Sequence, residues 1–237
     1  MNIEFTKAHG LGNDFVLFDL RSKRPLIKAV LSKKFLKRLA DRKRSVGFDQ
    51  VLILKDCSRL DLLKNVNCEL LIYNADGSQA EMCGNGLRAA CLYLWRNDSD
   101  LNKSKLLSIR TRAGIRSARV VDLKRGLIET EMGVPKLSYP KSAPSISLRK
   151  GSGAKKIYPV CINVGNPHAV YIVRRSLNKK TLEKLGSRIE VHKAFPNKTN
   201  VEFVRKLRAN RIFVQVWERG VGQTEACGTG AVASAAA

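Results

Sequence analysis

Two cysteines of this chain each stand directly before a Gly-x-Gly sequence. Cys83 lies in residues 81–86 (EMCGNG) and Cys227 in residues 225–230 (EACGTG). The small and apolar residues that follow each motif have helical character, which predicts both cysteines at helix N-termini. Unpaired backbone N–H groups and the positive end of the helix dipole favour a thiolate at that position and lower the pKa of the thiol.

The Gly-x-Gly sequences add a second property to each cysteine. They let the backbone approach a ligand closely and form a small anion-binding cup, suited to a carboxylate. Two such cups on opposite sides of one site fit inversion at the α-carbon of an amino acid. One thiolate removes the α-proton, the opposing thiol returns a proton to the other face, and preorganised N–H donors stabilise the developing charge. No cofactor is implied, since no phosphate-binding motif is placed to hold pyridoxal phosphate.

Other interpretations of the cysteines remain open at this point. A buried cysteine at a tight strand-to-helix turn would leave the same motif. A thiol–disulfide oxidoreductase would normally carry its cysteines close together as CxxC. No metal is expected, because the three histidines lack the paired spacing of zinc ligands. No motif surrounds the other four cysteines, which are predicted to be buried as small hydrophobes: Cys57, Cys68, Cys91 and Cys161.

The elements that must position the two cysteines recur in the same order in both halves of the chain. In each half, a Gly-Asn turn separates two predicted strands, an amide side chain precedes a further strand, and a polar residue ends the strand before the cysteine motif. These repeats predict two copies of one α/β unit, whose approximate two-fold relation would bring both cysteines to a shared cleft. The matched pairs are Asn13 with Asn166, Gln50 with Asn200, Asn74 with Glu218 and Cys83 with Cys227.

We place the boundary between the two units after residue 126, giving an N-terminal half at 1–126 and a C-terminal half at 127–237. Residues 32–42 are predicted as an amphipathic basic helix with Ser32 as its N-cap. Residues 135–156, rich in proline and serine and containing a Gly-Ser-Gly sequence, are predicted as a loop.

The charge of the chain is strongly positive, with 44 Lys+Arg against 20 Asp+Glu and a formal net charge of +24. The basic residues are spread along the whole chain and match no nucleic-acid-binding motif, so specific nucleic-acid binding is not expected. No apolar run approaches the ~18 residues that span a membrane, and the first residues do not resemble a signal peptide. We therefore expect a cytoplasmic protein without membrane contact.

Together these residues resemble the diaminopimelate epimerase family along nearly the whole chain. The resemblance rests on residues 9–15, 47–50, 74–88, 165–168 and 218–230. It implies a cofactor-independent isomerase that interconverts LL- and meso-2,6-diaminopimelate for lysine and peptidoglycan precursor synthesis. The implied fold is α/β in the α+β sense. It has two pseudo-symmetric domains, each a mostly antiparallel sheet or barrel wrapped around a central helix, with the active site in the cleft between them.

The resemblance also implies roles for individual residues. Cys83 and Cys227 would be the acid/base pair, whose roles swap with the isomer that enters. His168 and Glu218 would support proton transfer and hold the substrate ammonium. The reacting carboxylate would bind backbone N–H groups of Gly84, Asn85, Gly228 and Thr229. The pocket would be completed by Asn13, Gln50, Asn74, Asn166, Asn200 and Arg219.

The resemblance further implies a homodimer. Family members continue past the second cysteine helix, whereas this sequence stops at Ala237, so we expect the second half to be truncated at its end. A related two-cysteine racemase acting on proline, hydroxyproline, histidine or glutamate is the nearest alternative, although residues 74–78 and 218–220 fit the diaminopimelate family better. A non-catalytic basic protein that binds nucleic acid on the same scaffold is an alternative of a different class.

Overall fold

The computed structural model describes residues 3–104, 106–148 and 155–237, and the chain divides into two compact units between Met132 and Gly133. None of the helices in these ranges has the length and apolar character needed to cross a membrane.

The first unit is built on one sheet with the strand order β1-β2-β3-β4-β6-β7-β8, and β5 pairs with β4. Its pairings are antiparallel except for β2 with β3 and β4 with β6. The strands are β1 (Thr6–Gly10), β2 (Asn13–Asp19), β3 (Gln50–Lys55), β4 (Cys68–Asn74), β5 (Gln79–Ala80), β6 (Leu106–Thr111), β7 (Gly114–Asp122) and β8 (Leu127–Thr130). The helices are α1 (Arg24–Val30), α2 (Lys33–Ala40), α3 (Arg59–Leu62) and α4 (Gly84–Asn97).

The central strands of this sheet are apolar on both faces because each face is covered. In β2, Phe15 and Leu17 pack in the core around α4, whereas Val16 and Phe18 pack in the core that includes residues of α1 and α2. Side chains alternate between faces along a strand, so a near-continuous apolar sequence is what a doubly covered strand requires. α4 is thereby the helix around which the larger core forms.

The second unit contains a sheet with the order β14-β13-β12-β11-β10-β9, in which only β11 with β12 is parallel among the pairings of the described strands. Its strands are β9 (Lys136–Leu137), β10 (Val160–Asn163), β11 (Pro167–Ile172), β12 (Asn200–Arg208), β13 (Arg211–Glu218) and β14 (Gly222–Thr224). Its helices are α5 (Lys179–Glu190) and α6 (Gly228–Ala236). Ala169 and Tyr171 of β11 pack with α5.

The two units repeat one arrangement of elements. In the first, β2 and β3 are parallel, β4 is antiparallel to β3, and α4 follows. In the second, β11 and β12 are parallel, β13 is antiparallel to β12, and α6 follows. The predicted α+β fold class with two pseudo-symmetric domains is confirmed.

Several local predictions are confirmed and others need correction. The basic helix forms as α2, and Ser32 Oγ accepts a hydrogen bond from Phe35 N at 3.2 Å. β9 lies inside the predicted loop at 135–156 because it pairs with β10; residues 149–154 of that loop lie outside the described part of the chain. β8 pairs with β7 and belongs to the first unit, although it follows residue 126. α1 and α3 were not predicted.

Candidate active site

Both cysteine motifs form the same local structure. Cys83 is the N-cap of α4 and Cys227 the N-cap of α6, each with an extended backbone. In each motif the cysteine Sγ accepts a hydrogen bond from the backbone N–H of the second glycine, Gly86 or Gly230, at 3.3 Å. A cysteine thus occupies the position at which serine or aspartate commonly caps a helix.

The second glycine of each motif is required by close packing. A Cβ built on Gly86 would lie 2.8 Å from Leu52 Cδ2, and one built on Gly230 would lie 2.7 Å from Glu202 Oε1. Both distances are far below ordinary contact. The first turn of α4 therefore packs directly on β3, and the first turn of α6 packs directly on β12.

In the first unit, strand register gathers the predicted amide side chains near Cys83. Gln50 pairs with Asn74 across β3 and β4, and its Nε2 donates to Asn74 Oδ1 at 2.9 Å. Asn13, at the start of β2, directs its Nδ2 toward Cys83 Sγ at 3.8 Å. All of these side chains are buried on the face that α4 covers.

Two buried acceptors of this group have no hydrogen-bond partner among the described residues: Asn13 Oδ1 and Gln50 Oε1. Leaving a buried carbonyl oxygen unpaired costs about 1–3 kcal/mol. These two oxygens are suited to receive N–H donors from a ligand.

The two remaining predicted residues of the first unit lie in the first turn of α4. Asn85 is buried and its Oδ1 accepts from Arg88 Nη2. Gly84 precedes it, and a Cβ there would meet only the flexible end of Met132 at 2.8 Å, apart from looser contacts. The N–H groups of a first helical turn have no intrahelical acceptor, which suits Gly84 and Asn85 to bind an anion.

In the second unit, Cys227 has a more polar environment. Its Sγ lies 3.4 Å from Thr229 Oγ1 as well as accepting from Gly230 N. Burial, followed by the charges of Glu218 and Glu202, raises the pKa of the Cys227 thiol well above its usual value, against the opposing hydrogen bonds of Thr229 and Gly230. The backbone N–H of Gly230 at the helix start lowers this pKa, as predicted, but burial and the two carboxylates outweigh it.

Glu218 ends β13 beside Cys227. It is 8% exposed, and its Oε1 accepts from Thr224 Oγ1 at 2.5 Å. Burial raises the pKa of Glu218, while hydrogen bonds with Thr224 and Cys227 and the proximity of His168 oppose the rise. A buried carboxyl group with a raised pKa is typical of functional sites.

His168 is buried in the second unit, and each of its ring nitrogens has a polar partner. Its Nδ1 lies 2.7 Å from Glu202 Oε1, and its Nε2 lies 2.9 Å from Asn166 Oδ1. Asn166 Nδ2 in turn donates to Thr229 Oγ1 at 3.2 Å. Sequence reasoning missed Glu202; the available signal was a single acidic residue within the apolar strand sequence of residues 201–204 (VEFV).

Asn200 and Arg219 are placed by backbone contacts. Asn200 Nδ2 donates to Pro167 O at 2.9 Å, and its Oδ1 accepts from Arg219 N at 3.0 Å. Arg219 Nη1 donates to Asn197 O at 3.0 Å. Asn200 therefore joins the starts of β11 and β12 to the turn after Glu218, at the same end of the sheet as His168.

The other four cysteines are buried, as predicted. Burial raises the pKa of each thiol, to about 11 for Cys57 and Cys161 and to about 12 for Cys68 and Cys91. Thiols of this kind are inert at neutral pH because the thiolate is the reactive form.

Solved structures with the same fold include an epimerase and a probable racemase by their descriptions. A hydroxyproline epimerase from Agrobacterium vitis with bound trans-4-hydroxy-L-proline matches with a TM-score of 0.66 and 15% identity, covering 99% of this chain and 74% of that chain. A probable proline racemase from Agrobacterium radiobacter K84 matches with a TM-score of 0.65 and 15% identity, covering 98% and 76%. At this identity the likeness shows the fold.

Curated relatives are closer in sequence. Diaminopimelate epimerase of Pseudomonas paraeruginosa is 37% identical over 242 aligned residues, which cover 100% of this chain and 83% of that protein. Diaminopimelate epimerase of Carboxydothermus hydrogenoformans is 39% identical over 237 residues, covering 98% and 82%. The protein is an isomerase of the amino-acid epimerase and racemase class. The family model for diaminopimelate epimerase matches residues 5–138 and 160–237, and the chain belongs to the diaminopimelate epimerase family.

Proposed function

We propose that the protein interconverts LL- and meso-2,6-diaminopimelate through a two-base mechanism, with Cys83 and Cys227 as the bases. The observation that carries the proposal is the matched N-cap geometry of the two cysteines, each accepting the N–H of the second glycine at 3.3 Å. Inversion at a carbon requires two acid/base groups, one for each face, and each repeat would supply one sulfur atom.

The substrate carboxylate would lie at the first turns of α4 and α6, bound by N–H groups of Gly84, Asn85, Gly228 and Thr229. Such donors stabilise the charge that develops as the α-proton leaves. Enclosure from water strengthens this effect because the local dielectric falls. Such N–H donors would take the place of the electron-withdrawing chemistry that a cofactor would otherwise supply.

The proton transfers would use the two sulfur atoms in alternation. The polar environment of Cys227 favours its thiol form, because burial and the charges of Glu218 and Glu202 raise its pKa. For the isomer whose α-hydrogen faces Cys83, the Cys83 thiolate takes the proton and the Cys227 thiol delivers its own to the opposite face. The product leaves with the protonation of the two sulfurs exchanged, and the opposite isomer uses the reverse path.

The buried polar groups of both units would supply contacts for the amino groups. Glu218 would accept from an α-ammonium beside Cys227, and His168 would support proton transfer there. Asn13 Oδ1 and Gln50 Oε1 are acceptors without partners among the described residues. An arginine such as Arg219 can bind a distal carboxylate by charge-assisted hydrogen bonds, which would select a substrate with a second amino-acid end.

Substrate identity is tested with a panel under reducing conditions. LL-diaminopimelate, proline, trans-4-hydroxyproline, histidine and glutamate are each incubated with the protein, and the stereoisomers are separated by chiral chromatography. We expect LL-diaminopimelate to be converted to the meso isomer and the other four amino acids to remain unchanged. Racemisation of proline or hydroxyproline with no change in diaminopimelate would establish the alternative racemase instead.

Three narrower points belong to the same proposal: a role in lysine and peptidoglycan precursor synthesis, a homodimer, and a cytoplasmic location. They stay predictions that rest on the family resemblance.

A further inference from the structure

The two repeats differ at two neighbouring pairs of equivalent positions beneath their cysteine helices. Phe15 pairs with Gln50 across parallel strands in the first unit, and His168 pairs with Asn200 in the same way in the second. Phe15 therefore corresponds to His168. Two residues after Gln50 and Asn200 come Leu52 and Glu202, which also correspond.

The packing confirms this correspondence independently of the register. Leu52 is the residue that a Cβ on Gly86 would strike, and Glu202 is the residue that a Cβ on Gly230 would strike. The first unit thus has an apolar pair under its cysteine helix. The second has a histidine and a carboxylate, with both side chains 0% exposed.

A buried pair of this kind is a poor way to stabilise a fold. Removing two ionisable groups from water is costly, and an apolar pair of similar volume is often equally or more stable. The first unit shows that this scaffold accepts the apolar pair. Glu202 also carries a second buried oxygen, Oε2, that has no hydrogen-bond partner among the described residues. The pair therefore calls for an explanation outside folding.

A chain of hydrogen bonds runs from Glu202 to the sulfur of Cys227. Glu202 Oε1 lies 2.7 Å from His168 Nδ1, and the N–H at Nε2 donates to Asn166 Oδ1 at 2.9 Å. With its oxygen so occupied, the Asn166 amide turns its Nδ2 to Thr229 Oγ1 at 3.2 Å. Thr229 accepts there, which leaves its own hydroxyl proton available to Cys227 Sγ, 3.4 Å away.

We propose that Glu202 is a positioning residue that acts through His168, holding the imidazole so that the chain through Asn166 and Thr229 ends in a donated hydrogen bond on Cys227 Sγ. This inference rests on the proposed function, because it gives Cys227 a reacting sulfur. It assigns a role to a carboxylate that does not itself touch the substrate. The unit that lacks the pair leaves Cys83 without this chain, so the two sulfur atoms are chemically distinct before any substrate binds.

The test is a double-mutant cycle that converts the second unit to the pair found in the first. The variants are Glu202→Leu, His168→Phe and the double variant, with turnover of LL-diaminopimelate resolved into kcat and KM. We expect Glu202→Leu to lower kcat by about 10- to 100-fold, the range for losing one hydrogen bond to a charged group, with little change in KM. In the His168→Phe background the same substitution should lower kcat no further.

Stability is measured on the same variants by thermal unfolding. We expect the double variant to unfold at or above the temperature of either single variant, since Phe and Leu fill the equivalent positions of the first unit. Asp61→Asn is the matched control: it removes charge from another buried carboxylate, paired with Arg110 in the first unit, and should leave kcat unchanged.

A readout independent of turnover is the proton of the hydrogen bond between Glu202 and His168. Proton NMR of the wild-type protein should show a strongly downfield N–H resonance that is absent from both single variants. Glu202→Gln serves if the leucine variant does not fold, and should move the resonance upfield.

Four results would overturn the inference: an unchanged kcat in Glu202→Leu, an additive loss in the double variant, a double variant less stable than both single variants, or a downfield resonance that survives in Glu202→Leu. Absence of any epimerase activity in the wild-type protein would overturn the proposed function instead. The NMR result would still decide whether the proton is shared.

Discussion

Replacing Gly230 by alanine tests how tightly the second cysteine helix is packed on its sheet. The new Cβ would lie 2.7 Å from Glu202 Oε1 and 3.2 Å from Cys227 Cβ. Overpacking of this kind costs about 1–3 kcal/mol, whereas alanine regains at most about 1 kcal/mol of helix propensity over glycine. Glu202 is held by His168 and cannot withdraw cheaply. We expect the free energy of unfolding of the second unit to fall by about 1–2 kcal/mol.

The two tryptophans of the chain make this measurement specific to one unit. Trp217 lies in the second unit, where its Nε1 donates to Glu190 Oε2 at 2.7 Å, and Trp95 lies in the first. In a Trp95→Phe background, urea unfolding followed by Trp217 fluorescence reports the second unit alone. The midpoint should shift to lower urea with an unchanged slope.

Gly84→Ala is the matched control in the first unit. Its Cβ would also approach a neighbour at 2.8 Å, but that neighbour is the Cε atom at the free end of Met132. Methionine adapts readily to such changes, so we expect a loss below about 0.5 kcal/mol, measured with Trp95 in a Trp217→Phe background. Equal losses in the two variants, or none in Gly230→Ala, would refute the packing described for Gly230.

Two further predictions concern charge. Glu218→Gln removes a carboxylate that raises the pKa of the Cys227 thiol, so more of this thiol should be ionised at a fixed, mildly alkaline pH. In a variant that lacks the other site cysteine, carboxymethylation of Cys227 should therefore become faster. An unchanged rate would contradict this prediction. Burial raises the pKa of Asp14, but hydrogen bonds led by Arg42 outweigh it and hold this pKa well below the usual range. A carboxyl group whose pKa is lower in the folded than in the unfolded protein stabilises the fold at pH values above its unfolded pKa, and this stabilisation is lost as the pH falls. Asp14→Asn should therefore destabilise the protein at neutral pH and have little effect in strong acid. Urea unfolding at both pH values measures the difference.

The regular elements around the cysteines could be predicted because their sequences carry the necessary signals. Helices α4 and α6 each begin at a Gly-x-Gly sequence directly after a cysteine. The strands that are covered on both faces have nearly continuous apolar sequences. The repeat was visible because the polar residues at strand ends recur in the same order in both halves, and Asn74 and Glu218 each stand nine residues before the cysteine. α1 was missed because Lys23, its N-cap, makes no side-chain cap hydrogen bond. β9 was missed because two residues in a proline-rich segment carry no strand period; only pairing with β10 defines them.

The polar partners within the site could not be predicted from sequence. The contact between His168 and Glu202 joins residues on neighbouring parallel strands, and its distance depends on the register of β11 and β12. Similarly, the raised pKa of Cys227 comes first from burial and then from two carboxylates on β12 and β13. Local sequence shows the helix start, which lowers the pKa, whereas the opposing burial and charges are tertiary.

Solvent isotope incorporation tests the two-base proposal most directly. LL-diaminopimelate is incubated in D₂O with reduced protein, and deuterium at the α-carbon is followed together with formation of the meso isomer. The account predicts both in the wild-type protein, with epimerisation abolished by Cys83→Ala and by Cys227→Ala. Full epimerisation by either variant would contradict the assignment of the two cysteines as the acid and base.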